Sequence, residues 1–199
     1  MTYSPLPTSR LDQSASLLRP VCVLPDRVKL AHPALDVMTD FRRMTAFIAS
    51  PDDTLQQVEA RMIRRKVRLL FVMDSVMDSE DRMAGLITST DIYGEKPMQL
   101  VHSRGIRRDE VRVADIMTPV DMLEAIDFDD LAHASVGHVL ETLKARGRQH
   151  ALVFESAGGQ KKVCGLLSLS QLCKQLGIIV QTTEVALSFT EIEQQLAHA

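Results

Sequence analysis

A duplicated pattern is the feature that most constrains the fold of this chain of 199 residues. Asp-Val-Met-Thr at 36–39 returns as Asp-Ile-Met-Thr at 115–118, and two further segments recur in the same order. The matched segments are 36–39 with 115–118, 69–74 with 150–155, and 85–91 with 165–171, at offsets of 79, 81 and 80. Collinear matches at a nearly constant offset indicate two copies of one structural unit of roughly 60 residues.

Each copy has the hydrophobic pattern of a strand, a helix, two strands and a second helix. In the first copy, Leu55, Val58 and Met62 share one helical face, and Asp53 or Thr54 can cap the start of that helix. Short apolar runs have the length of buried strands. The predicted strands of the first copy are 46–49, which is the weakest, 69–73 and 83–87.

The second copy repeats this pattern. Val136, Val139, Leu140 and Leu143 lie at helical spacing, and Gly147 stands where a helix C-cap belongs. The predicted strands of the second copy are 123–126, which is again the weakest, 151–154 and 163–167. Neither unit can close a core alone, so we predict an α/β fold in which two β-α-β-β-α units pack face to face about a pseudo-twofold axis.

The repeat also divides the chain into parts. The first 35 residues hold five of the eight prolines and little periodicity, which is typical of an irregular arm. The predicted parts are an arm at 1–35, the first unit at 36–96, a linker at 97–112, the second unit at 113–178, and a tail at 179–199 with a short helix over 189–197.

Composition excludes several classes of protein. The chain has 26 acidic and 23 basic residues, no Trp and 4% aromatic residues, which argues against a nucleic-acid binder. A run of about 18 apolar residues, which a membrane-spanning helix requires, does not occur. The N-terminus lacks the apolar segment of a secretory signal. We therefore expect a cytoplasmic protein with neither a membrane nor a nucleic acid as its partner.

Neither the cysteines nor the motifs of common enzymes indicate a disulfide, a metal site or a catalytic site in this sequence. Cys22, Cys164 and Cys173 are odd in number and form no CxxC, so we predict buried thiols in a reducing cytoplasm and no disulfide framework or zinc site. The sequence has no G-x-G-x-x-G, Walker A or HExxH motif and no nucleophile elbow. No catalytic residue and no metal site is predicted.

Thr-Ser-Thr-Asp at 88–91 is the strongest candidate for a binding motif. It follows an apolar strand and opens a helix, and it has the form of a capping box in which Thr88 and Asp91 bond each other's backbone. The same geometry suits a ligand, because a helix N-terminus favours a phosphate and a carboxylate can accept from both hydroxyls of a ribose. The two interpretations are compatible, since Thr88 can cap the helix in the empty state and contact a ligand in the bound state.

Together these residues resemble the cystathionine-β-synthase (CBS) domain family, and specifically a tandem pair of CBS domains, called a Bateman module. The resemblance covers 37–178 and rests on the paired Asp-[Val/Ile]-Met-Thr segments, the Pro-Asp-Asp-Thr-Leu helix start at 51–55 and the stretch at 85–91. It implies a regulatory module, without chemistry of its own, that binds AMP, ADP, ATP or S-adenosylmethionine in clefts between the repeats. It also implies a homodimer formed through the helices.

The resemblance assigns residues to a first cleft around Asp91. Arg68 precedes the middle strand, where the family often directs a basic side chain at the ligand phosphates; alternatively, it extends the solvated Arg face of the preceding helix. The second copy would contribute Thr118 and the backbone near Leu123 to Ala125. The residues predicted for this cleft are Thr88, Thr90, Asp91, Arg68, Thr118, Leu123 and Ala125.

The second cleft departs from the family pattern. Gln171 replaces the acid and offers a neutral acceptor, so ribose binding is expected to be weaker there. Ser168 and Gln171 also have the form of a capping box. His150 is interpreted as the counterpart of Arg68 or, alternatively, as a structural residue beside the strand. The residues predicted for this weaker site are Ser168, Ser170, Gln171, His150, Thr39, Ala46 and Phe47.

The sequence thus predicts a sensor of adenosyl ligands that needs no obligatory cofactor and acts on an unidentified protein. Two alternatives stay open. One is a protein-interaction module whose clefts bind nothing, and the other is a nucleotide-processing enzyme that uses Asp91 and His150 as acid and base.

Overall fold

The computed structural model describes residues 24–74 and 82–178 of the chain. Its strands are β1 (Met38–Asp40), β2 (Ile48–Ala49), β3 (Leu69–Asp74), β4 (Arg82–Thr88), β5 (Thr118–Pro119), β6 (Ala125–Asp127), β7 (His150–Ala157) and β8 (Gln160–Ser168). Its α-helices are α1 (Leu55–Arg65), α2 (Ser89–Tyr93), α3 (Lys96–Arg104), α4 (Val113–Ile116), α5 (Phe128–Ala132), α6 (Val136–Ala145) and α7 (Leu169–Leu176). Cys22 and the predicted tail helix lie outside the described residues.

The described residues form two four-stranded sheets with the same arrangement. One sheet has the order β2-β3-β4-β5, and the other has the order β6-β7-β8-β1. In each, a parallel pair is joined through a helix, α1 or α6, and an antiparallel hairpin leads to the last helix, α2 or α7. The predicted α/β fold of two β-α-β-β-α units is confirmed.

The Asp-[Val/Ile]-Met-Thr segments, called here the DxMT segments, are exchanged between the two sheets. Met38–Asp40, from the first segment, pairs antiparallel with β8 of the second half, with Thr39 opposite Leu166. Thr118–Pro119, from the second segment, pairs antiparallel with β4 of the first half. Each half therefore completes its sheet with a strand that precedes the other half in the chain. The sequence did not predict this exchange.

The first helix starts as its capping residues predict. Thr54 is the N-cap: its hydroxyl accepts from the Gln57 N–H at 3.2 Å, and the Gln57 side chain accepts from the Thr54 N–H at 2.7 Å. Of the two candidate caps, Thr54 is the correct one. Asp53 accepts instead from the Ser50 N–H and from Arg61, both at 2.9 Å.

The buried residues form one hydrophobic cluster in each half and a third between the sheets. The third contains Leu69, Phe71 and Leu86 of the first sheet with Leu152 of the second. Phe41 packs edge-to-face against Phe71, with ring centroids 5.2 Å apart. The two sheets thus meet face to face, and the ends of their strands carry the residues predicted to bind a ligand.

Part of the predicted arm packs against the second half. The Val28 N–H donates to the Gln175 carbonyl at 2.9 Å, and the Gln175 side-chain amide donates to the carbonyls of Pro25 at 2.9 Å and Asp36 at 3.1 Å. The Ala34 N–H donates to the Ala134 carbonyl at 3.0 Å. Residues 25–36 are therefore fixed to α7 and to the loop before α6.

Within these described ranges, every helix is too short or too polar to span a bilayer.

Candidate functional site

The carboxylate of Asp91 lies at the start of α2 and is buried, with 8% of the residue exposed. Its Oδ2 accepts from the Thr88 N–H at 2.9 Å and from the Thr88 hydroxyl at 2.7 Å. The Asp91 N–H donates to the Thr88 hydroxyl oxygen at 3.3 Å. The capping box predicted at 88–91 is confirmed. It fixes the direction of the carboxylate, because Thr88 ends strand β4 in the middle of the sheet.

Lys96 holds the other carboxylate oxygen, which sequence reasoning missed. Its Nζ donates to Asp91 Oδ1 at 2.5 Å and to the backbone carbonyl of Ile116 at 3.2 Å. Ile116 belongs to the second DxMT segment. The ammonium therefore bridges the first half to a segment of the second, beside the predicted ribose-binding residue.

The other residues of the first cleft take different positions around Asp91. The carbonyl of Arg68 accepts from the N–H of Ser89, the first residue of α2, at 2.9 Å, and the Arg68 residue is exposed. Thr118 pairs with Leu86, two residues before Thr88, and is half-buried. The structure thus brings Arg68 and Thr118 to the same strand ends as Thr88.

The other three residues predicted for this cleft lie on α2, just before β6 and on β6. Thr90 is exposed on the first turn of α2. Leu123 packs against the cluster between the sheets, and Ala125 is exposed on strand β6, opposite Leu152 of β7. Thr90 and Ala125 are thus exposed, whereas Leu123 is half-buried.

The capping box predicted for Ser168 and Gln171 is wrong. Ser168 is the N-cap of α7 but makes no capping bond through its side chain, and its hydroxyl lies 3.0 Å from that of Ser170 instead. A hydroxyl partner two residues away competes with the backbone N–H of position 171 for the Ser168 oxygen. Gln171 is half-buried at this helix start.

The predicted equivalence of Arg68 and His150 is also wrong. His150 is the first residue of β7 and pairs with Ser168, just as Leu69 pairs with Thr88. The N–H of Leu169, the first residue of α7, donates to the carbonyl of Gln149 and not to that of His150. Gln149 is therefore the counterpart of Arg68, and a slip of one residue along a strand reverses the direction of the side chain.

His150 is uncharged at neutral pH. Burial, and then the positive charge of Arg68, lower the pKa of His150 to about 4. The electrostatic influence of Arg68 on His150 also shows that the strand starts of the two halves lie near each other. The second cleft therefore has a neutral imidazole where a cation was expected.

The remaining predicted residues of the second cleft come from the first half. Thr39 is half-buried in β1, opposite Leu166 of the second sheet. Ala46 packs against the cluster between the sheets, and Phe47 lies under the guanidinium of Arg65, 5.3 Å from the ring centroid. The exchange of the first DxMT segment thus places Thr39 on the second sheet, beside the strand that ends at Ser168.

Two of the cysteines are buried free thiols, as predicted. Burial raises the pKa of Cys164, and it raises the pKa of Cys173 to about 11. Neither is poised as a thiolate nucleophile at neutral pH.

Comparison with known proteins agrees with this architecture. Residues 34–96 match the family model of the CBS domain. This segment of the first half is therefore similar to a CBS domain. The second half repeats its order of strands and helices, so the chain has the fold of a CBS-domain pair, and the resemblance seen in the sequence is confirmed. No curated protein matched the chain.

Solved structures with TM-scores above 0.5 share this fold at low sequence identity. An uncharacterized conserved protein from Pyrococcus horikoshii is 21% identical, with 78% of this chain and 100% of that chain covered and a TM-score of 0.53. A CBS-domain containing protein from Agrobacterium tumefaciens is 16% identical, with 73% and 94% covered and a TM-score of 0.51. CBSX2, solved in complex with AMP, is 16% identical, with 72% and 94% covered and a TM-score of 0.49.

Proposed function

We propose that this CBS-domain chain is a regulatory module that binds an adenosine-containing ligand, namely AMP, ADP, ATP or S-adenosylmethionine, beside Asp91. One observation carries the proposal: a buried carboxylate lies where the first half meets the DxMT segment of the second. A ligand at this junction would contact both halves at once.

The chemistry of Asp91 suits the diol of a ribose. A carboxylate can accept from two neighbouring hydroxyls, and each charge-assisted hydrogen bond of this kind contributes about 1.5–3 kcal/mol. Thr88 fixes the direction of the carboxylate through two hydrogen bonds, so little freedom is lost when a ligand binds.

Other residues would contact the rest of the ligand. Helix α2 has only five residues, so its dipole is small and the charge for a phosphate would come from the exposed guanidinium of Arg68. Leu123 and Ala125 would flank the base. The residues proposed for the first site are Thr88, Thr90, Asp91, Arg68, Thr118, Leu123 and Ala125.

The second site is proposed to bind more weakly. Gln171 has no charge, His150 is neutral, and the hydroxyl of Ser168 is already bonded to Ser170. The residues proposed for it are Ser168, Ser170, Gln171, His150, Thr39, Ala46 and Phe47.

Binding would regulate by favouring one arrangement of the two halves. A ligand shifts such an equilibrium only through a difference in its affinity for the two states. We further propose that the module is cytoplasmic, performs no reaction, and forms a homodimer through its helices, where Ile63 of α1 and Tyr93 of α2 are 67% and 58% exposed.

The first test is a thermal-shift screen with AMP, ADP, ATP and S-adenosylmethionine. A ligand at 100 times its dissociation constant adds about 2.7 kcal/mol, which for a protein of this size raises Tm by about 5–10 °C. Absence of a shift with all four compounds would overturn the proposal and favour a ligand-free interaction module. Steady conversion of a nucleotide by the purified protein would favour the alternative that the chain is a nucleotide-processing enzyme.

A further inference from the structure

We infer that Lys96 is a built-in competitor of the ligand at the first site, since its ammonium occupies the place on Asp91 that a ribose diol needs. The inference rests on the proposed function and adds a residue that sets the affinity and the response of that site.

Lys96 and a ribose diol compete because Asp91 has too few acceptor positions for all of these donors. A carboxylate offers about four positions for hydrogen-bond donors. Three are occupied, by the N–H and the hydroxyl of Thr88 and by the ammonium of Lys96. A diol brings two donors, so at least one present partner has to leave.

Lys96 is the partner that can leave. Its side chain is 50% exposed, whereas that of Asp91 is 11% exposed. Thr88 is the N-cap of α2, and its bonds to Asp91 hold the start of that helix. An exposed ammonium regains water when it is displaced, whereas removal of Thr88 would leave buried groups unpaired.

Displacement of Lys96 would also break a hydrogen bond outside the ligand site. The same ammonium donates to the Ile116 carbonyl, so its departure removes a hydrogen bond between α3 of the first half and the second DxMT segment. Binding of the diol and loss of this contact to the second DxMT segment, whose Ile116 lies in the hydrophobic cluster of the first half, are therefore one event. This gives the proposed regulatory module a specific contact that differs between its empty and bound states.

The duplicated half supplies an internal comparison. At an offset of 80 residues, Asp91 corresponds to Gln171 and Lys96 corresponds to Leu176. Leu176 packs against the core of the second half. The carboxylate and the ammonium are thus absent together, as expected if they act as a pair. The second site lacks this competitor.

The experiment is a calorimetric titration of AMP into wild type, Lys96→Met and Arg104→Met. Arg104 is the matched control, because it lies on the same helix and its guanidinium pairs with Asp115 of the same DxMT segment at 2.7 Å and not with Asp91. Both variants lose one positive charge. Removal of an ion pair of this exposure should tighten AMP binding by about fivefold in Lys96→Met, and Arg104→Met should bind as wild type does.

A second measurement separates competition from a general change in the fold. Salt weakens the ion pair in wild type, so the ratio of the two affinities should fall towards one as NaCl rises from 0.05 to about 0.5 M. Lys96→Gln serves as a second neutral variant and should match Lys96→Met.

Each outcome decides one of the two claims. Equal or weaker AMP binding by both neutral variants, with binding lost in Asp91→Asn, overturns the competition and leaves the proposed function standing. Full AMP affinity in Asp91→Asn overturns the proposed function itself, because the ligand then binds elsewhere.

Discussion

Leu86 and Thr118 are partners in an antiparallel ladder although they belong to different halves of the chain. The neighbouring pair joins Gly85 to Pro119. At this crossing the backbone of the second DxMT segment passes directly over Gly85, since a Cβ atom there would lie 2.3 Å from the Thr118 carbonyl oxygen. The exchange of strands therefore depends on a glycine.

We expect Gly85→Ala to destabilise the fold by about 2–3 kcal/mol, because a methyl group cannot fit against a backbone oxygen without moving the strand. Gly165→Ala is the matched control in the other half. There the closest atom is the flexible Met38 Sδ at 2.5 Å, and the backbone oxygen of Thr39 lies at 3.2 Å. Its cost should be about 1 kcal/mol. Urea unfolding measures both, and equal midpoints for the two variants would contradict the account of the crossing.

Gln175 should be required to hold residues 25–36 against the second half. Its amide is buried and donates to the carbonyls of Pro25 and Asp36. Gln175→Met keeps the volume but leaves both carbonyls without this donor, so we expect a loss of about 1–3 kcal/mol in urea unfolding. Gln99→Met, at an exposed glutamine bonded to Glu95, should lose far less. A Gln175→Met protein as stable as wild type would show that this contact is dispensable.

The order of the elements could be predicted from the sequence because the repeat and the apolar spacing are local signals. The exchange of β1 and β5 could not. These strands have three and two residues, too few for a period-two pattern, and their partners are distant in the chain: Met38 pairs with Leu167. Sequence alone gives no measure of such pairings.

The site shows the same division between local and distant signals. Thr88 and Asp91 were predictable because a capping box joins residues three apart. Lys96 was missed because Gly94 and Glu95 separate it from α2, so helical spacing does not apply. The joint replacement of Asp91 and Lys96 by Gln171 and Leu176 was a signal that could have found it.

Stability should fall as the pH is lowered from about 6.5 to about 4 because of His150. The pKa of its side chain is lowered to about 4 in the folded protein, by burial and then by Arg68. An unfolded chain takes up this proton near pH 6.5. Between these values the unfolded state binds more protons, so acidification costs about 2–3 kcal/mol of stability.

His150→Gln should remove most of this pH dependence, and Arg68→Met should remove part of it. The free energy of unfolding in urea at pH 7 and pH 5 is the measurement. Two other perturbed groups titrate below this window: the Arg42 side chain lowers the pKa of Asp40, and the Arg112 N–H lowers the pKa of Asp115. If the free energy of unfolding of His150→Gln changes with pH as it does in wild type, another group causes the pH dependence.

The proposed first site requires that Asp91 bind a ribose through its two hydroxyls. Asp53→Asn is the matched control for Asp91→Asn, because the Asp53 side chain is only 16% exposed and its carboxylate likewise accepts from a backbone N–H and a cationic side chain.

The most direct measurement compares the dissociation constants of AMP and its 2′,3′-dideoxy analogue for wild type, Asp91→Asn and Asp53→Asn. Wild type and Asp53→Asn should bind the analogue at least tenfold more weakly than AMP, because each lost charge-assisted bond is worth about 1.5–3 kcal/mol. Asp91→Asn should bind AMP weakly and discriminate far less between the two compounds. If all three proteins discriminate by the same factor, the diol is not held by Asp91 and the proposed site is wrong.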